Sequence, residues 1–151
     1  MIDLPFLAPG SAPSTSPLAD AEGIRDLSAL GKLEVRGADV DALDVAGSEV
    51  VRISPRRALV LCDPGRRREV ARELPGVVFD LTAAWAGFEV DGEVLMRRLT
   101  DLDLDALPAV GKVATVQAVV SRNGDRFRLL VPRELAGSVA AIVAEEQESL
   151  A

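Results

Sequence analysis

The sequence predicts an α+β domain made of two successive β-α-β-β-α units packed together, and three observations carry that expectation. Apolar residues recur with the period of a strand in some short pieces and of a helix in others. Proline and glycine separate the pieces. Leu33-Glu34-Val35-Arg36-Gly37 also has a counterpart in Phe88-Glu89-Val90-Asp91-Gly92, as Leu59-Val60-Leu61 has in Leu129-Leu130-Val131. A unit this long that occurs only twice does not build a solenoid, so the two are expected to lie face to face around one core. The chain has 151 residues, and a chain of that size buries roughly 70% of its unfolded surface, enough for one domain or two half-domains sharing a core. Residues 24–148 are read as that domain, with half-units 24–76 and 77–148, and residues 1–23 as a Pro/Ser-rich arm.

The arm contains Pro5, Pro9, Gly10, Pro13 and Pro17 with serines and a threonine between them, a composition that sustains neither helix nor ladder. In the first unit Leu33 and Val35 alternate with Glu34 and Arg36, the period of a half-buried strand that Gly37 ends. A short helical turn is expected over 39–43. Residues 49–53 and 58–62 read as a hairpin turning at Ser54-Pro55-Arg56, where proline fixes one backbone angle and removes a donor. Asp63 and Pro64 then open a helix, Val70, Ala71 and Leu74 recur along it, and Pro75-Gly76 stops it. The second unit repeats the order. Phe88 and Val90 alternate with Glu89 and Asp91, and Val94, Leu95 and Leu99 offer a helical apolar face. A long hairpin with arms 112–121 and 126–131 turns at Asn123-Gly124-Asp125, residues that accept positive φ. Residues 134–148 close the chain as an amphipathic helix, with Leu135, Val139, Ile142 and Val143 on one side.

Composition excludes several classes of function. Seventeen basic against twenty-four acidic residues leave a net charge of −7, which repels phosphate backbones and anionic headgroups, so neither nucleic acid nor a membrane is an expected partner. No run approaches the ~20 apolar residues of a membrane span, and the N-terminus lacks a basic residue before its short apolar patch; the chain is read as cytoplasmic. With no histidine and one cysteine, the usual zinc ligand sets, a Ser-His-Asp triad and an internal disulfide lack their members.

The remaining chemistry-bearing residues read mostly as structural. Asp101, Asp103 and Asp105 lack the glycine turn and distal carboxylate of a calcium loop, and are expected as the wet face of an extended segment. Arg66-Arg67-Arg68 at a helix start can hold an anion but suits a solvated face better, and Arg97 and Arg98 invite the same reading. Cys62 has no histidine to activate it and is placed in the core. Trp85, the single tryptophan, is expected to anchor packing, either wedged between the two units or beside a ligand cleft. The glycines do not form a phosphate-binding fingerprint. No metal ligand set and no catalytic constellation is assigned.

Two stretches carry a family resemblance. Asp26-Leu27-Ser28-Ala29-Leu30-Gly31-Lys32-Leu33-Glu34-Val35-Arg36-Gly37-Ala38-Asp39 resembles the entry segment of the glycine-cleavage T-protein (aminomethyltransferase) and its folate-binding relatives. Residues 80–92, with Thr82, Trp85, Phe88 and Val90 in phase, and the following Leu99-Thr100-Asp101-Leu102-Asp103-Leu104 are similar to the gamma subunit of heterotetrameric sarcosine oxidase, as is 51–61. The resemblance spans about 16–143 and implies a fold of the folate-binding, aminomethyltransferase N-terminal type. In the transferases an acidic residue of the long hairpin assists the folate-linked transfer; Thr115 and Val116 stand there in this chain, and neither handles a proton at neutral pH. The resemblance therefore implies a gamma-like accessory subunit with no catalysis of its own, joined to larger alpha, beta and delta subunits that carry FAD, FMN and NAD. Its alternative is a stand-alone module binding tetrahydrofolate in a cleft between the units, near Trp85 and Arg98.

Overall fold

The computed structural model describes residues 16–19, 21, 23–37 and 39–151. Most of the arm expected over 1–23 therefore lies outside the described residues. In chain order the elements are β1 (Arg25–Asp26), β2 (Gly31–Arg36), β3 (Glu49–Ser54), β4 (Arg57–Cys62), α1 (Arg67–Glu73), β5 (Val77–Asp80), β6 (Trp85–Asp91), α2 (Glu93–Leu99), β7 (Ala109–Val113), β8 (Val116–Asn123), β9 (Arg126–Pro132) and α3 (Ala136–Leu150). The strands form two antiparallel sheets, one in the order β1-β6-β9-β8-β7 and the other β3-β4-β2-β5.

Side-chain alternation sorts the apolar residues into layers. On β9, Phe127, Leu129 and Val131 join the core under α2 and α3, whereas Leu130 points the other way. On β4, Ala58, Val60 and Cys62 face α1 and the 40–45 loop, whereas Leu59 and Leu61 point away from them. Leu59, Leu61 and Val51 of the four-stranded sheet meet Val119 and Leu130 of the five-stranded one. The two sheets thus face each other, and the helices lie outside. This corrects the expectation of one shared core. Three apolar clusters form instead, because central strands covered on both faces can bury consecutive residues, as Leu59-Val60-Leu61 and Leu129-Leu130-Val131 do.

Other expectations change for local reasons. The helical turn at 39–43 is a single turn closed by Leu43 N–H donating to the Val40 carbonyl (3.2 Å). The expected arm 112–121 is itself a hairpin, β7 and β8, reversing at Ala114 and Thr115 with φ of 49° and 67°. Asp101, Asp103 and Asp105 are exposed while Leu104 is buried, but the segment is not extended throughout. Asp103 caps a 3-10 turn over Leu104–Ala106 by accepting from Asp105 N–H (3.0 Å). On α2 the buried face is Leu95, Met96 and Leu99, with Val94 exposed. The last helix starts after a 3-10 turn over Arg133–Leu135, which leaves Leu135 exposed. β1 and β5 were not expected.

Candidate functional site

The connection from β5 to β6 shapes the ground around Trp85. Asp80 accepts from Thr82 N–H (3.0 Å), and the Leu81 carbonyl accepts from both Ala84 and Trp85 N–H (3.1 Å each), a tight reversal that sets Trp85 at the start of β6. There it lies opposite Pro132 in the ladder and packs on the cluster between the sheets. The indole also borders a surface depression of about 490 Å³ with Ala83, Ala84, Pro132, Arg133 and Glu134. Arg133 N–H donates to the Ala84 carbonyl (3.0 Å), which holds the two sides of this depression at fixed distance.

Beside this connection lies a residue that sequence reasoning assigned no role. Lys32 is 1% exposed. Its ammonium donates to the Ser28 carbonyl (2.7 Å) and the Leu30 carbonyl (3.0 Å), its backbone N–H donates to Thr82 Oγ1 (3.0 Å), and its carbonyl accepts from Leu81 N–H (2.8 Å). Burial pulls its pKa down to about 8, the Arg133 charge acts in the same direction, and Asp26 and Asp80 oppose them. Lys32 is a strut between β2 and the connection, and its burial keeps it from acting on solvent-borne substrates.

Two carboxylates expected on wet strand faces are buried instead, Glu34 at 2% and Glu89 at 7% exposure. Glu34 accepts from Arg36 (2.6 Å) and Arg57 (2.7 Å). Glu89 accepts from Arg25 (2.8 Å) and Arg128 (2.6 Å). Arg128 also contacts Glu49 on β3, so one guanidinium ties the sheets together. A buried carboxylate held between two guanidiniums is compensated in charge and hydrogen bonding, a structural rather than a proton-moving arrangement. Burial raises the pKa of the Cys62 thiol, which makes it an inert core group.

Arg98 lies elsewhere. At the end of α2 it donates to Glu146 (3.2 Å) and to Ser149 (3.1 Å) of α3, and it borders a separate depression with Thr100, Lys112 and Thr115. The structure does not bring Trp85 and Arg98 into one cleft. The basic run is also engaged, Arg66 with Glu69 (3.4 Å) and the Ala46 carbonyl (2.9 Å), and Arg67 with Asp80 (3.1 Å). Among the described residues no group of three or more acidic, cysteine or histidine side chains is placed to hold a metal ion, and no helix is long and apolar enough to cross a membrane. Thr115 is at the tip of the β7–β8 hairpin and Val116 opens β8.

The class so defined is a mixed α/β protein with two facing antiparallel sheets, three helices and ion pairs that compensate its buried charges. Among solved structures, this fold is shared with a chain of heterotetrameric sarcosine oxidase from Corynebacterium sp. U-96 in complex with pyrrole 2-carboxylate. The TM-score is 0.69 at 16% identity, over 89% of this chain and 94% of that one. The resemblance to a sarcosine oxidase subunit thus extends to the fold. The regulatory subunit of aspartate kinase from Thermus thermophilus is a more distant likeness, with a TM-score of 0.50 at 12% identity over 83% of this chain and 98% of that one. No family model and no curated protein matches the sequence.

Proposed function

We propose that the chain is a gamma-like accessory subunit of a cytoplasmic, heteromeric, flavin-dependent oxidase of sarcosine or another N-methyl amino acid. In this reading it braces larger alpha, beta and delta subunits that hold FAD, FMN and NAD, and performs no chemistry itself. The observation that carries it is the likeness in fold, nearly end to end in both chains, to a chain of a heterotetrameric sarcosine oxidase. The paired state of Glu34 and Glu89 agrees with a bracing role, since each carboxylate is committed to two arginines.

We also read the fold as a duplication of the folate-binding type. The order β3-β4-β2-β5 in one sheet corresponds to β8-β9-β6-β1 in the other, with α1 matching α3 and the turn at Val40–Leu43 standing in for α2. The tetrahydrofolate alternative named Trp85 and Arg98 together. These residues border different depressions.

The test is affinity capture of the tagged chain expressed in its native host. The expected partner absorbs near 450 nm as a flavoprotein and consumes oxygen with an N-methyl amino acid, whereas the isolated chain is colourless. Capture without flavin absorbance or amine-dependent oxygen uptake overturns the reading. Saturable quenching of Trp85 fluorescence by tetrahydrofolate, with the chain alone, favours the folate-binding alternative.

A further inference from the structure

An antiparallel sheet ends in strands with unpaired backbone groups, and stable proteins guard such edges with charge, bulges, shortness or a covering segment. Three of the four edges here are guarded. β1 is two charged residues long. β7 is covered by the end of α2: Thr100 bridges Val113, its hydroxyl donates to the Lys112 carbonyl (2.7 Å), and Ala114 N–H donates to the Leu99 carbonyl (2.8 Å). β3 carries a register shift between Arg52 and Ser54, and the Arg52 side chain donates to the carbonyls of Val40 (2.9 Å) and Leu43 (2.6 Å).

Among the described residues β5 has no bulge and no segment paired along its outer edge; it is four residues long, its one charged residue, Asp80, is paired with Arg67 (3.1 Å), and the Arg36 guanidinium lies 5.3 Å from the centre of the Phe79 ring. The strand's sequence is Val77-Val78-Phe79-Asp80, and among the described residues it pairs only with β2 and carries two of the five exposed large apolar side chains. Val77 is 57% and Phe79 44% exposed, and they share one face of the strand.

The ladder determines what fits this edge. Leu81 N–H donates to the Lys32 carbonyl, and hydrogen-bonded and non-bonded pairs alternate along an antiparallel ladder. With Phe79 opposite Glu34 and Val77 opposite Arg36, the backbone groups of Val77 and Phe79 turn inward, and those of Val78 and Asp80 turn outward. A two-fold axis at Val78 then lets Val78 exchange hydrogen bonds with Val78 of a second copy. The same axis sets each Val77 beside the other copy's Phe79 on one face, covering all four exposed side chains together. Each row across the junction then runs Arg36, Val77, Phe79 and Glu34, the last two from the second copy, with Arg36 and Glu34 already paired within each copy, so the junction places no unpaired charge beside the apolar side chains. We propose that β5 pairs antiparallel with β5 of a second copy of this chain, joining two four-stranded sheets into one of eight.

This inference does not rest on the accessory-subunit reading. A four-residue strand buries less than a standard interface, so half-dimerisation is expected near 0.1 mM. Sedimentation equilibrium of the full chain from about 10 μM to 1 mM measures it. Val77→Lys and Phe79→Lys, both at exposed positions, are each expected to weaken the dimer at least tenfold while circular dichroism stays unchanged. Val78→Cys is expected to form a dimer under oxidation, because hydrogen-bonded antiparallel partners lie about 5.5 Å apart at Cα, within disulfide range. A wild-type chain that stays monomeric at 1 mM overturns the proposal, and so does a dimer that survives both lysine substitutions. A Val78→Cys chain that cross-links to a co-expressed flavoprotein subunit, rather than to itself, also overturns it.

Discussion

Lys32 shows how a single buried charge reports on a fold. Among the described residues its ammonium has two carbonyl acceptors and no carboxylate as hydrogen-bond partners, and burial lowers its pKa from 10.5 to about 8. Between those values the unfolded chain holds more protons at this position than the folded one, so the residue's contribution to stability rises with pH across that window. Below about pH 8 the folded state bears the whole cost of the buried charge. At about 1.4 kcal/mol per pKa unit, this cost is about 3 kcal/mol. Urea titration of wild type and Lys32→Met at pH 7 and pH 10 is expected to show their stability difference moving by about that amount in favour of wild type. Parallel pH profiles for the two proteins would exclude this role. Periodicity concealed Lys32 and Glu34, since alternation with Leu33 and Val35 assigns them to water. Only the tertiary packing, which buries this face of the four-stranded sheet around both residues, reverses that assignment.

At the scale of elements, the β7–β8 turn is the clearest local conflict. A tight two-residue hairpin favours asparagine and glycine at positive φ, and this one uses Ala114 and Thr115 at 49° and 67°. For a β-branched residue that conformation is strained by about 1–2 kcal/mol. Thr115→Gly is therefore expected to stabilise the protein by about 1 kcal/mol and raise Tm by ~3 °C. A lower Tm in differential scanning calorimetry would show that Thr115 makes a contact outweighing the strain.

The same turn explains why the two-strand organisation of 109–123 was not legible. Neither Ala114 nor Thr115 is a turn residue, so the apolar run from Lys112 to Ser121 reads as a single arm. β5 escaped for the opposite reason, since Val77-Val78-Phe79 follows a proline-glycine stop and does not alternate. Elements with both a clear period and a punctuating residue were legible to within two or three residues: β2 before Gly37, β4 before Asp63-Pro64, β6 before Gly92, and β9 after Gly124. Trp85 was legible as an anchor because a lone indole has few other uses, but the separation of Trp85 from Arg98 depends on chain topology.

For the whole molecule, the joint between the sheets is the smallest apolar cluster, and Leu130 is central to it. Leu130 packs there with Val119 against Val51, Leu59 and Leu61, and its Cδ2 atom would lie 2.8 Å from a Cβ placed on Gly87. Truncation at this site removes contact between halves without touching either helical layer. Leu130→Ala is expected to destabilise by about 2–4 kcal/mol. Guanidinium unfolding followed at Trp85, which packs on the same cluster, and by far-ultraviolet circular dichroism measures it. A loss under 1 kcal/mol would mean that the ion pairs of Arg128, rather than apolar contact, join the sheets.

The pairing of β1 with β6 has a consequence for how the polypeptide assembles during synthesis. Arg25 lies opposite Glu89, sixty-four positions further along. By the time Asp80 leaves the ribosome, all four strands of one sheet are present, yet Arg25 and Asp26 still lack the strand that receives them. The earliest-made strand among the described residues is therefore among the last to settle, and closure of the five-stranded sheet must wait for most of the chain to emerge.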